Sequence, residues 1–416
     1  MIIEGFSAER FFLVLALALV VSKILGELSE RIKQPAVLGE LLAGVVLGGS
    51  ILALVPSTAG EPGYETFHLL GELGVAILLF EIGLETDLRD LIRVGVASMF
   101  VAVVGIILPF FLGFISVFAF EKFGVLSSIN PSFATLVAIT VGATLTATSV
   151  GITARVLSDI NRLQSEEARV VLGAAVIDDV VGLIILAVVT GLIESANRGA
   201  GQEISVLGVS VIALKAFGFL FAAILVGNLA SRRLFDLVEK MKVRGMLLLS
   251  ALSFAFILAF LAELFGLAPI VGAFAAGLIL ARTNQFKIIE GQLKPVADVF
   301  TPIFFIMVGA AVNVGVFNPF VPGNTHILIV AAALFIVAVV GKLGSGWAVF
   351  KKGIKKSVIG VGMIPRGEVG LIFAQVGLTS GVFDSSLFSA ITVVVILTTF
   401  ICPPLLKITF AGGKTL

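Results

Sequence analysis

The chain has 416 residues, of which 58% are hydrophobic and only 13% charged, with a net charge of +1. A soluble domain carries about 25% charge, so the composition excludes a large soluble fold, and the charge balance gives no footprint for nucleic acid. A single cysteine, Cys402, excludes an internal disulfide and a cysteine metal cluster.

Apolar blocks separated by short charged punctuations predict an all-α polytopic membrane protein. The start, MIIEGFSAER, carries two acids and one arginine before the first apolar run and no small-residue cleavage site, so it reads as a retained span rather than a leader. Thirteen helical spans are predicted, at 9–30, 35–55, 66–84, 92–120, 132–154, 168–194, 204–231, 245–265, 267–281, 297–317, 325–350, 356–380 and 384–408. The connections are short, and a dozen residues follow Pro403–Pro404, so one membrane domain without a soluble appendage is expected. Twenty-one Lys and Arg residues fall in alternate connections and the tail, and three in the opposite set. This asymmetry predicts an outside N-terminus and a cytoplasmic C-terminus, which an odd number of spans satisfies.

The fifth span, with TVGATLTATSVGITARVL at 140–157, is rich in Gly, Thr and Ser. Such a segment is a poor continuous helix in lipid and is tolerated where unwound backbone lines a cavity. The sixth span carries VIDDVV at 176–181, with Asp178 and Asp179 inside an apolar run. A charge at that depth costs about 2.5–3.5 kcal/mol on insertion scales. Adjacent helical residues point about 100° apart, so one carboxylate is free to pair with a protein cation while the other faces a water-filled cavity. The eleventh span offers Lys342 as that cation. The twelfth, VIGVGMIPRGEVGLIFAQVGL at 358–378, is interrupted by Pro365, Arg366 and Glu368. Proline removes a donor and clashes with the preceding turn. Arg366 and Glu368 are open between a structural role and a transport role. Interrupted spans in matching positions of two halves point to the binding site of a transporter.

A partly desolvated carboxylate holds either a proton or a hard monovalent cation. Thr144, Thr146, Thr148 and Ser149, with the carbonyls of a broken span, are the candidate uncharged oxygens. Competition between H⁺ and a cation for one site exposed alternately to each side is exchange. A purely structural Asp178–Lys342 pair is the plainer alternative. Lys215 reads as a snorkelling residue, and Lys23 and Glu27 as an unremarkable helix end. Glu40, Glu72 and Glu81 are candidates for a funnel lining or for edge solvation. His68 and His326 read as interfacial histidines, and the small-residue repeats GVVLGG and GAFAAG as helix-packing signals.

PAVLGELLAGVVLG (35–48), LLFEIGLETDL (78–88), TATSVGITARVL (146–157), the VIDDVVG helix and MIPRGEVGLIFA (363–374) resemble the monovalent cation:proton antiporter-2 family, which includes Nap-type Na⁺/H⁺ antiporters and Kef-type K⁺ efflux systems. The resemblance covers essentially the whole chain. It implies inverted repeats with two discontinuous crossing helices, spans 5 and 12. It implies a homodimer with a dimerisation scaffold (1–90 and 240–318), an ion-transporting core (91–200 and 325–410), a linking helix (204–235) and elevator-like movement. By position in the motif, Asp179 is the main ion and proton carboxylate and Asp178 the partner of Lys342. Thr148 and Ser149 lie at the first unwound crossing, and Arg366 and Glu368 form the charged pair of the second.

Kef-type systems carry a nucleotide-binding domain after the last span, and this sequence stops without one. The expectation is therefore a stand-alone exchanger of the cytoplasmic membrane, in contact with lipid, trading Na⁺ (or Li⁺ or K⁺) for H⁺ at Asp178 and Asp179. It would be no enzyme and would have no cofactor, and Lys342 leans the resemblance towards two protons per cation. The alternatives are a K⁺/H⁺ exchanger, a cation channel, and a symporter of an organic solute.

Overall fold

The computed structural model describes residues 7–32, 34–58, 60–85, 95–124, 134–162, 164–197, 206–321, 324–350 and 353–411. Fifteen α-helices and two short 3-10 turns, with no β-strand, make up the secondary structure of the described residues. In chain order the helices are α1 (Ala8–Arg31), α2 (Ala36–Leu47), α3 (Tyr64–Glu85), α4 (Val96–Lys122), α5 (Ala134–Thr144), α6 (Val150–Asp159) and α7 (Glu166–Asn197). They continue as α8 (Val206–Val238), α9 (Met246–Leu264), α10 (Pro269–Leu280), α11 (Phe286–Ala310), α12 (Asn324–Ser345), α13 (Lys356–Gly362), α14 (Glu368–Thr379) and α15 (Ser385–Ala411). The expected fifth and twelfth spans are each broken in two, as α5–α6 and α13–α14. Eight of the described helices are long and apolar enough to cross a membrane. The predicted spans at 35–55 and 267–281 are shorter than expected, because α2 and α10 are 12-residue helices. At 1.5 Å per residue each is only about 18 Å long.

The chain divides into two compact units, 1–88 with 200–313, and 89–199 with 314–416. The helix α8, read from sequence as a linker, groups with the first of them.

The first unit is held by reciprocal backbone contacts at glycines. A Cβ placed on Gly44 of α2 would lie 2.2 Å from Ile306 O of α11, and one on Gly309 of α11 would lie 2.1 Å from Leu41 O of α2. The same arrangement recurs between α3 and α10. There, a Cβ on Gly83 would lie 2.4 Å from Phe274 O, and one on Gly277 would lie 2.3 Å from Phe80 O. The sequences agree as well: GELLAGVVL of α2 aligns with GAFAAGLIL of α10. The first glycine of each meets a preceding helix, Gly39 at Leu25 O of α1 and Gly272 at Leu258 O of α9. Helices α1–α3 and α9–α11 are therefore two copies of one packing motif, the internal repeat that the fold class implies. Side chains fill the rest, with Phe80, Phe235 and Ile279 fully buried in one apolar cluster. The buried Glu40 of α2 pairs with Lys23 of α1 at 3.4 Å.

In the second unit α4 and α12 pack closely. A Cβ on Gly341 would sit 2.9 Å from the Cα of Pro109, the proline inside α4. Helix α5 ends where Thr140 and Thr144 turn their hydroxyls onto the carbonyls of Leu136 and Thr140. The backbone then unwinds over 145–149 before α6 begins. Helix α13 ends one turn before Pro365, which has no N–H to donate, and α14 starts at Glu368.

Candidate functional site

The two unwound stretches meet each other inside the second unit. The Ser149 N–H donates to Pro365 O at 2.8 Å, and Thr153 Oγ1 donates to Gly362 O at 2.8 Å. The approach is possible because residue 367 is glycine. A Cβ there would lie 2.7 Å from Ser149 Oγ and 2.8 Å from Ser149 Cβ. Ser149 also caps α6, since its hydroxyl accepts the Ile152 N–H at 3.5 Å.

Helix α7 brings Asp178 to this junction. Thr148 Oγ1 donates to Asp178 Oδ2 at 2.6 Å, and Lys342 Nζ of α12 donates to the same oxygen at 2.7 Å. Both charged side chains are wholly buried. The ammonium lies against α4 where that helix has Gly105, whose Cβ position is 3.7 Å from Nζ. The other carboxylate oxygen, Asp178 Oδ1, is buried without a hydrogen-bond partner among the described residues. A buried acceptor left so costs about 1–3 kcal/mol, more when charged, and a proton or a hard cation is what such an oxygen takes. Asp179, the next residue and so about 100° further round the helix, is half-buried.

Arg366 is fully buried and its guanidinium binds backbone oxygens. It donates to Leu145 O at 2.6 Å, to Ala338 O at 3.3 Å and to Ile364 O at 3.5 Å. Leu145 directly follows α5 and Ile364 follows α13, so the arginine neutralises the carbonyl-rich ends of both first half-helices. The family resemblance implies a charged pair of Arg366 with Glu368. The Glu368 side chain lies outside the described residues, and Arg366 donates to main-chain carbonyls.

Of the predicted residues, the structure thus brings together Asp178, Thr148 and Lys342, and places Ser149 and Arg366 at the adjoining crossing. Two further candidate oxygens, those of Thr144 and Thr146, make local bonds. The hydroxyls of Thr144 and Thr146 donate to Thr140 O and Ala143 O, satisfying their own helix turn. Three contributors were not anticipated: Thr153, Gly367 and Thr399, whose hydroxyl donates to Arg366 O at 2.6 Å. The glycine after Pro365–Arg366 was the one signal for Gly367. Thr153 sits in the threonine-rich segment 140–157 and Thr399 in the apolar helix α15, and neither has a spacing that singles it out. Among the described residues no group of three or more His, Cys, Asp or Glu is arranged to hold a metal ion.

A family model described as sodium/hydrogen exchanger, transmembrane, matches residues 15–412. The chain is 45% identical over 422 residues to the high-affinity Na⁺/H⁺ antiporter NhaS3 of Synechocystis sp., covering 94% of this chain and 88% of that protein. It is 35% identical over 410 residues to the Na⁺/H⁺-K⁺ antiporter GerN of Bacillus cereus, covering 97% of each. The solved sodium proton antiporter MjNhaP1 from Methanocaldococcus jannaschii shares the fold, with a TM-score of 0.69 over 97% of this chain and 98% of that one, at 19% identity. With one family model spanning nearly its whole length and a relative at 45% identity, this chain belongs to the sodium/hydrogen exchanger family, as its motifs implied.

Proposed function

We propose that this chain is a secondary active antiporter that exchanges Na⁺ for H⁺ across the cytoplasmic membrane. The observation that carries the reading is the buried Asp178 carboxylate, held through one oxygen by Thr148 and Lys342 while its other oxygen has no partner among the described residues. A proton and a Na⁺ ion compete for the acids of α7, so occupancy by one excludes the other. Asp179, half-buried beside it, is the main carrier in this reading, and Asp178 trades its lysine. When the pair opens, Lys342 is able to release its own proton, which would make two protons per cation. The chain moves ions and breaks no covalent bond.

The unit of 89–199 and 314–416 is the mobile core in this reading, and the other unit is the scaffold of a homodimer, with elevator-like motion between them. The N-terminus is outside and the C-terminus cytoplasmic in this reading, which the Lys and Arg distribution supports. A role in pH homeostasis follows from the exchange itself. One observation favours K⁺ as a second cargo: the relative from Bacillus cereus is described as a Na⁺/H⁺-K⁺ antiporter.

The test uses purified protein in liposomes that contain a pH-sensitive dye and hold an imposed proton gradient. Na⁺, Li⁺ and K⁺ are added in turn. Collapse of the gradient on adding Na⁺ supports antiport. An intact gradient while labelled Na⁺ still crosses would make the protein a channel.

A further inference from the structure

Helix α7 lies on the broken helix α13 along one of its faces. Glu167, Val171, Ala174 and Asp178 follow one another at steps of four, three and four residues, a single helical stripe. Its inner end is Asp178. In the middle, Val171 Cγ1 lies 2.9 Å from the Cβ position of Gly362, and Val171 and Ala174 are buried with Ile359 and Met363. At its outer end Glu167 Oε1 accepts the backbone N–H of Lys355 at 3.3 Å.

Lys355 is the residue that opens α13, and its carbonyl accepts the first helical N–H groups, from Val358 at 3.1 Å and Ile359 at 3.3 Å. Its ammonium donates to Phe410 O in the last turn of α15 at 3.2 Å. That carbonyl is one of the unpaired acceptors at a helix C-terminus, where a cation is favourable. The Phe410 ring in turn faces the guanidinium of Arg162, just beyond α6, at 5.6 Å. Lys355 therefore joins the helix that bears the acids, the first half of a broken helix, and the last helix of the unit.

We propose that Glu167 and Lys355 are positioning residues for the cation site. They fix the axial register of α7 against α13. Through the three turns from Glu167 to Asp178, about 16 Å, they thereby set the depth at which the carboxylate meets Thr148. The inference rests on the antiport reading above. The bond from Glu167 is made to a backbone amide, so it needs an acceptor oxygen and no charge. Glutamine supplies that oxygen and alanine does not, which separates positioning from electrostatic attraction of cations.

The experiment compares wild type, Glu167→Ala, Glu167→Gln and Lys355→Met as full chains in liposomes and by hydrogen–deuterium exchange. Glu167→Ala should raise the apparent KM for Na⁺ about tenfold, because a displaced carboxylate binds the ion less tightly, with turnover less affected. Amides of 356–364 should exchange faster in the same variant. Glu167→Gln should match wild type in both readouts, and Lys355→Met should lie between. Wild-type KM and protection in Glu167→Ala would overturn the proposal, and so would a Glu167→Gln variant as impaired as the alanine. If Glu167→Ala cannot be purified, Lys355→Met decides, with unchanged KM and protection counting against. If wild type itself exchanges no cation, the antiport reading fails, while the protection data still decide the register.

Discussion

Lys342 Nζ and Asp178 Oδ2 are 2.7 Å apart in a site from which both side chains expose nothing to solvent. Removing one partner of a buried pair costs about 3–5 kcal/mol because the other charge is left uncompensated, whereas removing both is nearly neutral. Lys342→Gln should therefore lower thermal stability in detergent, and Asp178→Asn with Lys342→Gln should recover most of it. An additive double mutant, with no recovery, would show that the pair is not held as drawn.

Exchange itself should separate the acids. Asp179→Asn should reduce Na⁺-driven proton flux to the background of empty liposomes while the protein still purifies as a folded species. Asp178→Asn should retain a reduced flux. Lys342→Gln should change the response of flux to membrane potential more than it changes cation binding. Full activity in Asp179→Asn would remove that carboxylate from the site.

The pH dependence has a fixed sign under competition. A carboxylate must be deprotonated to bind a cation, so lowering pH fills the site with protons and weakens Na⁺ binding. The apparent KM for Na⁺ should fall as pH rises, by up to about tenfold per unit for one competing proton, and then level off once the site is deprotonated. Flux measured against Na⁺ at each pH checks this, and a KM that rises with pH would contradict a shared site.

The meeting of the two unwound stretches depends on the absence of one carbon. Gly367→Ala would place a Cβ 2.8 Å from Ser149 Cβ, a clash that cannot be relieved without moving backbone. Exchange should be lost. Adding Ser149→Gly should restore part of it, whereas Ser149→Ala should not, because it keeps the opposing Cβ. Activity measured on wild type, Gly367→Ala, Ser149→Gly and the double variant resolves the coupling.

Much of this architecture could be read from residue types. The Gly, Thr and Ser content of 140–157 and the Pro365–Arg366 dipeptide announced two broken helices, because the backbone there lacks either helix propensity or a donor. Two opposite charges at mid-span, Asp178 and Lys342, announced a contact. The partners of Arg366 were not readable, because an unwound carbonyl such as Leu145 O has no sequence signature. The Thr144 and Thr146 hydroxyls point their protons at preceding carbonyls, a local bond that residue type alone does not reveal. The span at α2 was overestimated because apolar residues continue past Leu47, where the backbone turns, and that at α10 because Leu267 and Ala268 precede its Pro269 start.

The two glycine seams of the first unit have a consequence for how the chain tolerates change. Since Gly44 and Gly309 meet as Gly83 and Gly277 do, backbone against backbone, a profile of substitution tolerance along 39–47 should superpose on that along 272–280. Both should peak in intolerance at the same two offsets. Two stretches separated by more than two hundred residues would then share one mutational fingerprint, dictated by the contact distance between main chains.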